Sequence, residues 1–326
     1  MSVQLRMFLK AGLALLALSL LTALSLATAP ALAHSRFSQN LFVANQDANT
    51  IREFSASGDD LGEFATTGLN GPTGLAFDRR GDLYVSNIAA NTIRKFSPTG
   101  VDLGDFATTG LSSPRGIAFD RHGNLYVANV SWIERFSPTG ADLGNFATSG
   151  LNVARGIAFD RTGDLYVANA GDNTIRKFSA RGEDLGVFAT TGFIAPALIA
   201  FDKRGNLYVT NFGGNTIREF SHTGQDLGDF ATTGLNAPAG LAFDKHGNLY
   251  VSNRGDGTIR KFSRSGADLG YFATGLTTPV GLAFSPVRAG SNRDALSAWS
   301  RTWSAPRRRE TSGSPPGSGS PSCPGP

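Results

Sequence analysis

The sequence predicts an all-β, six-bladed β-propeller with four antiparallel strands per blade and a ring closed by pairing of its N- and C-terminal strands. Three observations carry this. A string of Leu, an aromatic, Val, a small residue and Asn recurs six times, at intervals of 42 residues with one of 40. Four short β-like runs recur within each interval, and the two ends of the array are offset by one run.

The string occupies Leu41 to Asn45, Leu83 to Asn87, Leu125 to Asn129, Leu165 to Asn169, Leu207 to Asn211 and Leu249 to Asn253. After it come a run like Thr92 to Phe96, a Gly turn, a run like Asp102 to Ala107, and a run like Gly116 to Phe119. Each run is short, rich in Val, Ile, Phe and Tyr, and bounded by Gly, Pro, Asn, Asp or Ser, a strand pattern rather than a helical one. Pro98-Thr99-Gly100 and Arg121-His122-Gly123-Asn124 read as hairpin turns, with Asp120 able to bond its own backbone. A unit of about 40 residues with four strands is the size of a propeller blade. The first copy starts at the second strand of its unit, whereas Gly281 to Phe284 is an extra copy of the first strand with nothing after it. Pairing of these ends completes a blade from both chain termini and removes the exposed edges of an open stack. Eighteen of the 23 Phe fall at three fixed repeat positions, those of Phe96, Phe106 and Phe119, which predicts packing between blades.

Outside the repeats, residues 1–33 read as a signal peptide: Arg6 and Lys10, an uncharged apolar run from Ala11 to Ala27, and Ala31-Leu32-Ala33 as the cleavage signature. The expected location is secreted or periplasmic, with no membrane association after cleavage. Residues 34–285 form the propeller. Residues 286–326 change to Gly, Ser, Pro and Arg without apolar periodicity, a composition expected to be disordered. The formal charge of +4 resides in these flanks, because residues 34–285 hold 22 basic and 24 acidic side chains. A near-neutral body argues against nucleic acid as a partner. The one cysteine, Cys323, has no partner in the chain, so packing alone must hold the domain.

Pro238-Ala239-Gly240-Leu241-Ala242-Phe243-Asp244, Gly247-Asn248-Leu249-Tyr250-Val251 and Thr258-Ile259-Arg260-Lys261-Phe262 together resemble NHL-type repeats, over about residues 41–285. The resemblance implies the propeller fold. Asn253 and its equivalents stand where that family usually has Asp, which weakens any transfer of carboxylate-based sites.

Loops before the innermost strand and loops after the second strand share one face, here called the top. The Asp-x-x-Gly and Ser-x-x-Gly turns lie on the opposite, bottom face. Asn45, Asn87, Asn129, Asn169, Asn211 and Asn253 could ring the channel mouth with amides, or could simply cap their strands. Departures from the repeat are more informative than shared positions. The third copy is shortened after Asn129 and reads Trp132-Ile133-Glu134 where the others have Asn-Thr-Ile-Arg. Arg115 and Arg155 hold the position before the inner-strand Gly in neighbouring blades, where other copies have Thr73, Ala197, Ala239 and Val280. Two arginines for a carboxylate or phosphate, with an indole as a stacking wall, make Arg115, Trp132 and Arg155 the expected ligand sector; repeat drift is the alternative. Phe193, Phe212 and Arg254 are weaker single departures in the top loops.

The four His are scattered, with His34 near the expected mature terminus and His122, His222 and His246 in bottom turns. No nucleophile, acid and base, or metal-ligand set converges, so no catalytic or metal residue is assigned. The expectation is a non-catalytic binding propeller, monomeric, without a resident cofactor, recognising a protein or a small anionic or sugar-like ligand on its top face. Two alternatives stay open: a lactonase- or lyase-type propeller enzyme with a divalent cation at the channel mouth, and a structural envelope scaffold.

Overall fold

The computed structural model describes residues 39–286. The expected signal peptide, residues 1–33, and the segment from 287 onward, expected to be disordered, lie outside the described residues.

The described chain forms six four-stranded antiparallel sheets. The first blade combines β24 (Pro279–Phe284) with β1 (Leu41–Asn45), β2 (Thr50–Phe54) and β3 (Asp60–Ala65). The second contains β4 (Pro72–Phe77), β5 (Leu83–Asn87), β6 (Thr92–Phe96) and β7 (Asp102–Ala107). The third contains β8 (Ile117–Phe119), β9 (Leu125–Ala128), β10 (Ile133–Phe136) and β11 (Asp142–Ala147). The fourth contains β12 (Ala154–Phe159), β13 (Leu165–Asn169), β14 (Thr174–Phe178) and β15 (Asp184–Ala189). The fifth contains β16 (Pro196–Phe201), β17 (Leu207–Asn211), β18 (Thr216–Phe220) and β19 (Asp226–Ala231), and the sixth β20 (Pro238–Phe243), β21 (Leu249–Asn253), β22 (Thr258–Phe262) and β23 (Asp268–Ala273).

Closure occurs as the offset ends require. β24 pairs antiparallel with β1, Leu41 opposite Phe284 and Val43 opposite Leu282, and Ser285 N–H donates to the Asn40 carbonyl at 2.9 Å.

The core sits between blades. The second strand of each blade is buried along its whole length, because its alternate faces are covered by the two adjacent blades. Its aromatic residue is clamped edge-on by two phenylalanines, one from the outer strand of its own blade and one from the inner strand of the next. Tyr84 lies 4.8 Å from Phe106 and 4.9 Å from Phe119, centroid to centroid. Phe42 takes the same role between Phe64 and Phe77. T-shaped pairs of this kind add to the burial energy of the rings themselves, and the fixed Phe positions of the repeat are thereby accounted for.

Each Asp-x-x-Gly turn at the bottom is built by its Asp. Asp120 Oδ1 accepts from the N–H groups of His122 at 2.7 Å and Asn124 at 2.9 Å, while Gly123 supplies the positive φ of 86° that the reversal needs. Blade edges are tied by a repeated ion pair from the third strand to the fourth, as in Arg94–Asp102 at 2.7 Å and Arg176–Asp184 at 2.5 Å, with Arg52–Asp60, Arg218–Asp226 and Arg260–Asp268 alike.

Candidate functional site

Inner strands approach the axis so closely that five of the six blades hold glycine at one position, Leu198 taking it in the fifth. A Cβ on Gly116 would lie 2.4 Å from the Arg155 carbonyl, and one on Gly281 would lie 2.0 Å from that of Thr73. Next to this glycine the inner strands break register, between Pro72 and Leu75 in the second blade and between Ala154 and Ile157 in the fourth. A bulge re-aims the residue it contains. The residues before this position, Thr73, Arg115, Arg155, Ala197, Ala239 and Val280, consequently line one cavity at the axis on the top face.

The cavity has a volume of about 120 Å³, well above the ~30 Å³ that one water occupies in the liquid. Arg115 and Arg155 enter it from adjacent blades, and Arg254 enters from the loop after β21 together with Gln46 and Phe212 from equivalent loops. The Arg155 guanidinium lies over the Phe212 ring, 5.6 Å from its centroid. Among the described residues, none of the three arginines has a carboxylate partner, and the Nε atoms of Arg115 and Arg155 are buried without a hydrogen-bond acceptor. Burial, then the nearby Arg254, lowers Arg115 below the ordinary guanidinium pKa. Burial also lowers Arg155, followed by repulsion from Arg115 and Arg254. Arg115 and Arg155 are partly desolvated, Arg254 stands exposed beside them, and among the described residues the cavity wall holds no carboxylate, an arrangement that favours an anion.

Arg115 and Arg155 are therefore brought together, and Trp132 is not with them. It is absent from the cavity wall, and its indole N–H donates to Glu134 Oε2 at 2.9 Å. Residues two apart on a strand share a face, and Glu134 stands where the other five blades place the arginine of the edge ion pair. Its carboxylate takes the indole N–H as a donor instead, which corrects the expectation of a stacking wall. Glu134 is only 2 % exposed, and its Oε1 has no hydrogen-bond partner.

The six asparagines also lie elsewhere than at a channel mouth. They are 0–5 % exposed, and none lines the cavity. Asn87 Oδ1 accepts from Asn70 N–H at 3.1 Å, and its Nδ2 donates to the Gly68 carbonyl at 2.9 Å and to Thr92 Oγ1 at 3.1 Å. Asn129, Asn169, Asn211 and Asn253 clamp the corresponding loops, and Asn45 Oδ1 accepts from Thr277 N–H at 2.7 Å. The amides are occupied by backbone groups of the loop entering each blade, a structural role close to the capping alternative, not a ring of free amides.

Of the weaker departures, Phe193 packs on Phe220 at 5.3 Å and belongs to the core, whereas Phe212 and Arg254 join the cavity. Arg254 was legible only as an isolated loop residue. Its signal is its place directly after the repeat Asn, a position from which Gln46 and Phe212 also reach the axis. His122, His222 and His246 are exposed in bottom turns. Among the described residues, no three His, Cys, Asp or Glu side chains are grouped to hold a metal.

No protein-family model matches the sequence, and no curated protein matches it. Solved structures do. A chain from the crystal structure of a nidogen/laminin complex is similar with a TM-score of 0.69 and 19 % identity, over 77 % of this chain and 100 % of that one. A protein of unknown function from Bacteroides caccae is similar with a TM-score of 0.63 and 16 % identity, over 76 % of this chain and 99 % of that one. At these identities the likeness shows the fold: the chain is a six-bladed β-propeller.

Proposed function

We propose that the chain is an exported, non-catalytic binding propeller of NHL-repeat type, whose top-face cavity takes an anionic group between Arg115, Arg155 and Arg254. The observation that carries this reading is the convergence of three guanidinium groups without a carboxylate partner on one axial cavity. Arginine presents a planar fork that matches carboxylate and phosphate oxygens in pairs. Like charges held together cost stability in the empty protein, and an anion relieves that cost, so binding and stabilisation are linked.

The anion has two sources, a small phosphate- or carboxylate-bearing molecule or an acidic side chain of a protein. The likeness to a structure from a nidogen/laminin complex supports the second source as a real alternative. Calorimetric titration with inorganic phosphate, malonate and calcium chloride tests the reading. The expected result is heat of binding for at least one of the two anions, weakened tenfold or more by Arg115→Ala or Arg155→Ala. Binding of calcium alone, or anion binding that survives both substitutions, overturns it.

A further inference from the structure

The bottom face carries a second basic feature, unrelated to the axial cavity. Where the fifth and sixth blades meet, a groove of about 900 Å³ is lined by Arg161, Lys203, Arg204, Lys245, His246 and Arg264. All six are exposed. Three carboxylates share the lining, Asp202, Glu219 and Asp244, but each is turned toward neutral donors. Asp202 Oδ1 accepts from the N–H groups of Arg204 and Asn206 at 2.8 and 2.9 Å. Asp244 Oδ1 accepts from those of His246 and Asn248 at 2.8 and 2.9 Å. Glu219 Oε1 takes Asn206 Nδ2 at 2.9 Å and the Tyr208 hydroxyl at 2.7 Å. Neutral donors hold these three carboxylates in place without cancelling their charge, so the lining sets five Lys and Arg against three acids and stays net positive.

Two of these cations are held by carbonyls. Arg161 donates to the Lys203 carbonyl and Lys203 Nζ to that of Lys245 at 2.5 Å, each link reaching from one blade to the next. Arg79 makes the same link to the Arg121 carbonyl at 2.7 Å. A carbonyl orients a cation without cancelling its charge. Among the described residues, Arg161, Lys203, Arg204 and Arg264 have no carboxylate partner.

We infer that this groove is a docking surface for a linear acidic polysaccharide. Charge complementarity fixes the sign of the partner, and the lining fixes its class. The aromatic residues of the groove are committed to the core, with Tyr208 clamped between Phe230 and Phe243 at 4.9 Å from each. Among the lining residues only the His246 imidazole is an exposed ring, short of the run of aromatic platforms that single-stranded nucleic acid uses, and no apolar anchor stands among the exposed cations, as the centre of a protein interface requires. A polymer that is polar throughout and carries carboxylate or sulfate groups at intervals matches exposed cations, the Gln39 amide and the Ser265 hydroxyl.

The test compares the full chain with an Arg204→Gln/Arg264→Gln double variant, and with Arg115→Ala/Arg155→Ala as a control for the opposite face. The basic run Arg307-Arg308-Arg309 is common to all three proteins. Probes are heparin, polygalacturonate, polyglutamate and single-stranded polyuridylate, followed by fluorescence anisotropy over a salt series. The expected result is binding to at least one glycan, weakened tenfold or more in the groove variant, with the log–log salt slope reduced by about 2, and unchanged in the cavity variant. Matching melting curves show that the groove variant is folded. Absence of glycan binding at low salt, equal binding by the groove variant, or tighter binding to polyglutamate or polyuridylate than to either glycan overturns the inference. Loss of glycan binding confined to the cavity variant likewise overturns the inference and assigns the polymer to the axial cavity.

Discussion

Tyr250 of the sixth blade and Phe284 of the first meet edge to face, with centroids 5.0 Å apart and ring planes at 78°. Tyr84 and Phe119 make the same contact across a junction where the chain is continuous, at 4.9 Å and 81°. The junction made by the two ends of the fold is therefore packed like the others. Phe284→Ala is expected to cost about 2–3 kcal/mol, at or below the foot of the ~3–5 kcal/mol range for deleting a buried Phe side chain, because Phe284 is half-buried. Urea unfolding measures it, and a cost near that of a surface substitution would mean that closure contributes little.

Axial glycines are a second point of sensitivity. Gly116→Ala puts a Cβ against the Arg155 carbonyl, and overpacking of this kind costs about 1–3 kcal/mol. Because the Gly116 N–H also donates to that carbonyl at 2.8 Å, the displaced backbone carries Arg155 with it. Thermal unfolding and phosphate titration of the same variant should therefore both change.

The repeat is legible almost entirely in the sequence, because strand length, turn residues and the Phe positions are fixed by blade packing and recur six times. The offset of Gly281 to Phe284 was enough to predict the β24–β1 pair. The axial cavity was only partly legible. Arg115 and Arg155 departed from the repeat at an inner-strand position and could be read as neighbours. Trp132 departed as plainly, yet its partner Glu134 lies two residues on in β10, and sequence gives no measure of which way a shortened loop turns the indole. The asparagines left two readings open, a mouth ring or caps, for the opposite reason: a polar residue at a repeated place has a repeated backbone to satisfy, and that demand is visible only once the entering loop is seen beside it.

Arg155→Met separates stability from binding. Removing one of three mutually repelling cations, itself partly desolvated with a burial-lowered pKa, should leave the melting temperature unchanged or raise it while weakening anion binding. Arg155→Lys keeps the charge but loses the fork, and is expected to weaken phosphate binding by roughly tenfold. A melting temperature that falls sharply in Arg155→Met would show that the side chain supports the fold.

Glu134 gives the third blade a pH dependence that the other five lack. Burial raises its carboxyl pKa; the Trp132 indole acts against that shift and Asp142 adds to it. The folded chain then holds the Glu134 proton more tightly than the unfolded chain does. Its contribution to stability is fully present below the ordinary carboxylate range and is lost as pH rises through that range to the raised value. Glu134→Gln should flatten this part of the stability profile. Glu134→Arg should restore the ion pair with Asp142 and add about 0.5–1 kcal/mol at neutral pH. Denaturation at a series of pH values distinguishes these outcomes.

The loop clamps predict a local effect. Asn87→Ala leaves the N–H of Asn70 and the Gly68 carbonyl without their partners, at a cost of about 1–3 kcal/mol. Hydrogen exchange should rise first at Asn70 and its neighbours.

Asn40 and Ser285, joined by one backbone hydrogen bond, bring entry to and exit from the ring to a single point on the bottom face. The order in which the six blades are strung along the polypeptide is then a convention of the gene and not a property of the assembled ring. A chain with these two points bridged by a short linker and a new break opened in another bottom turn should fold to the same disc with its arginine mouth intact.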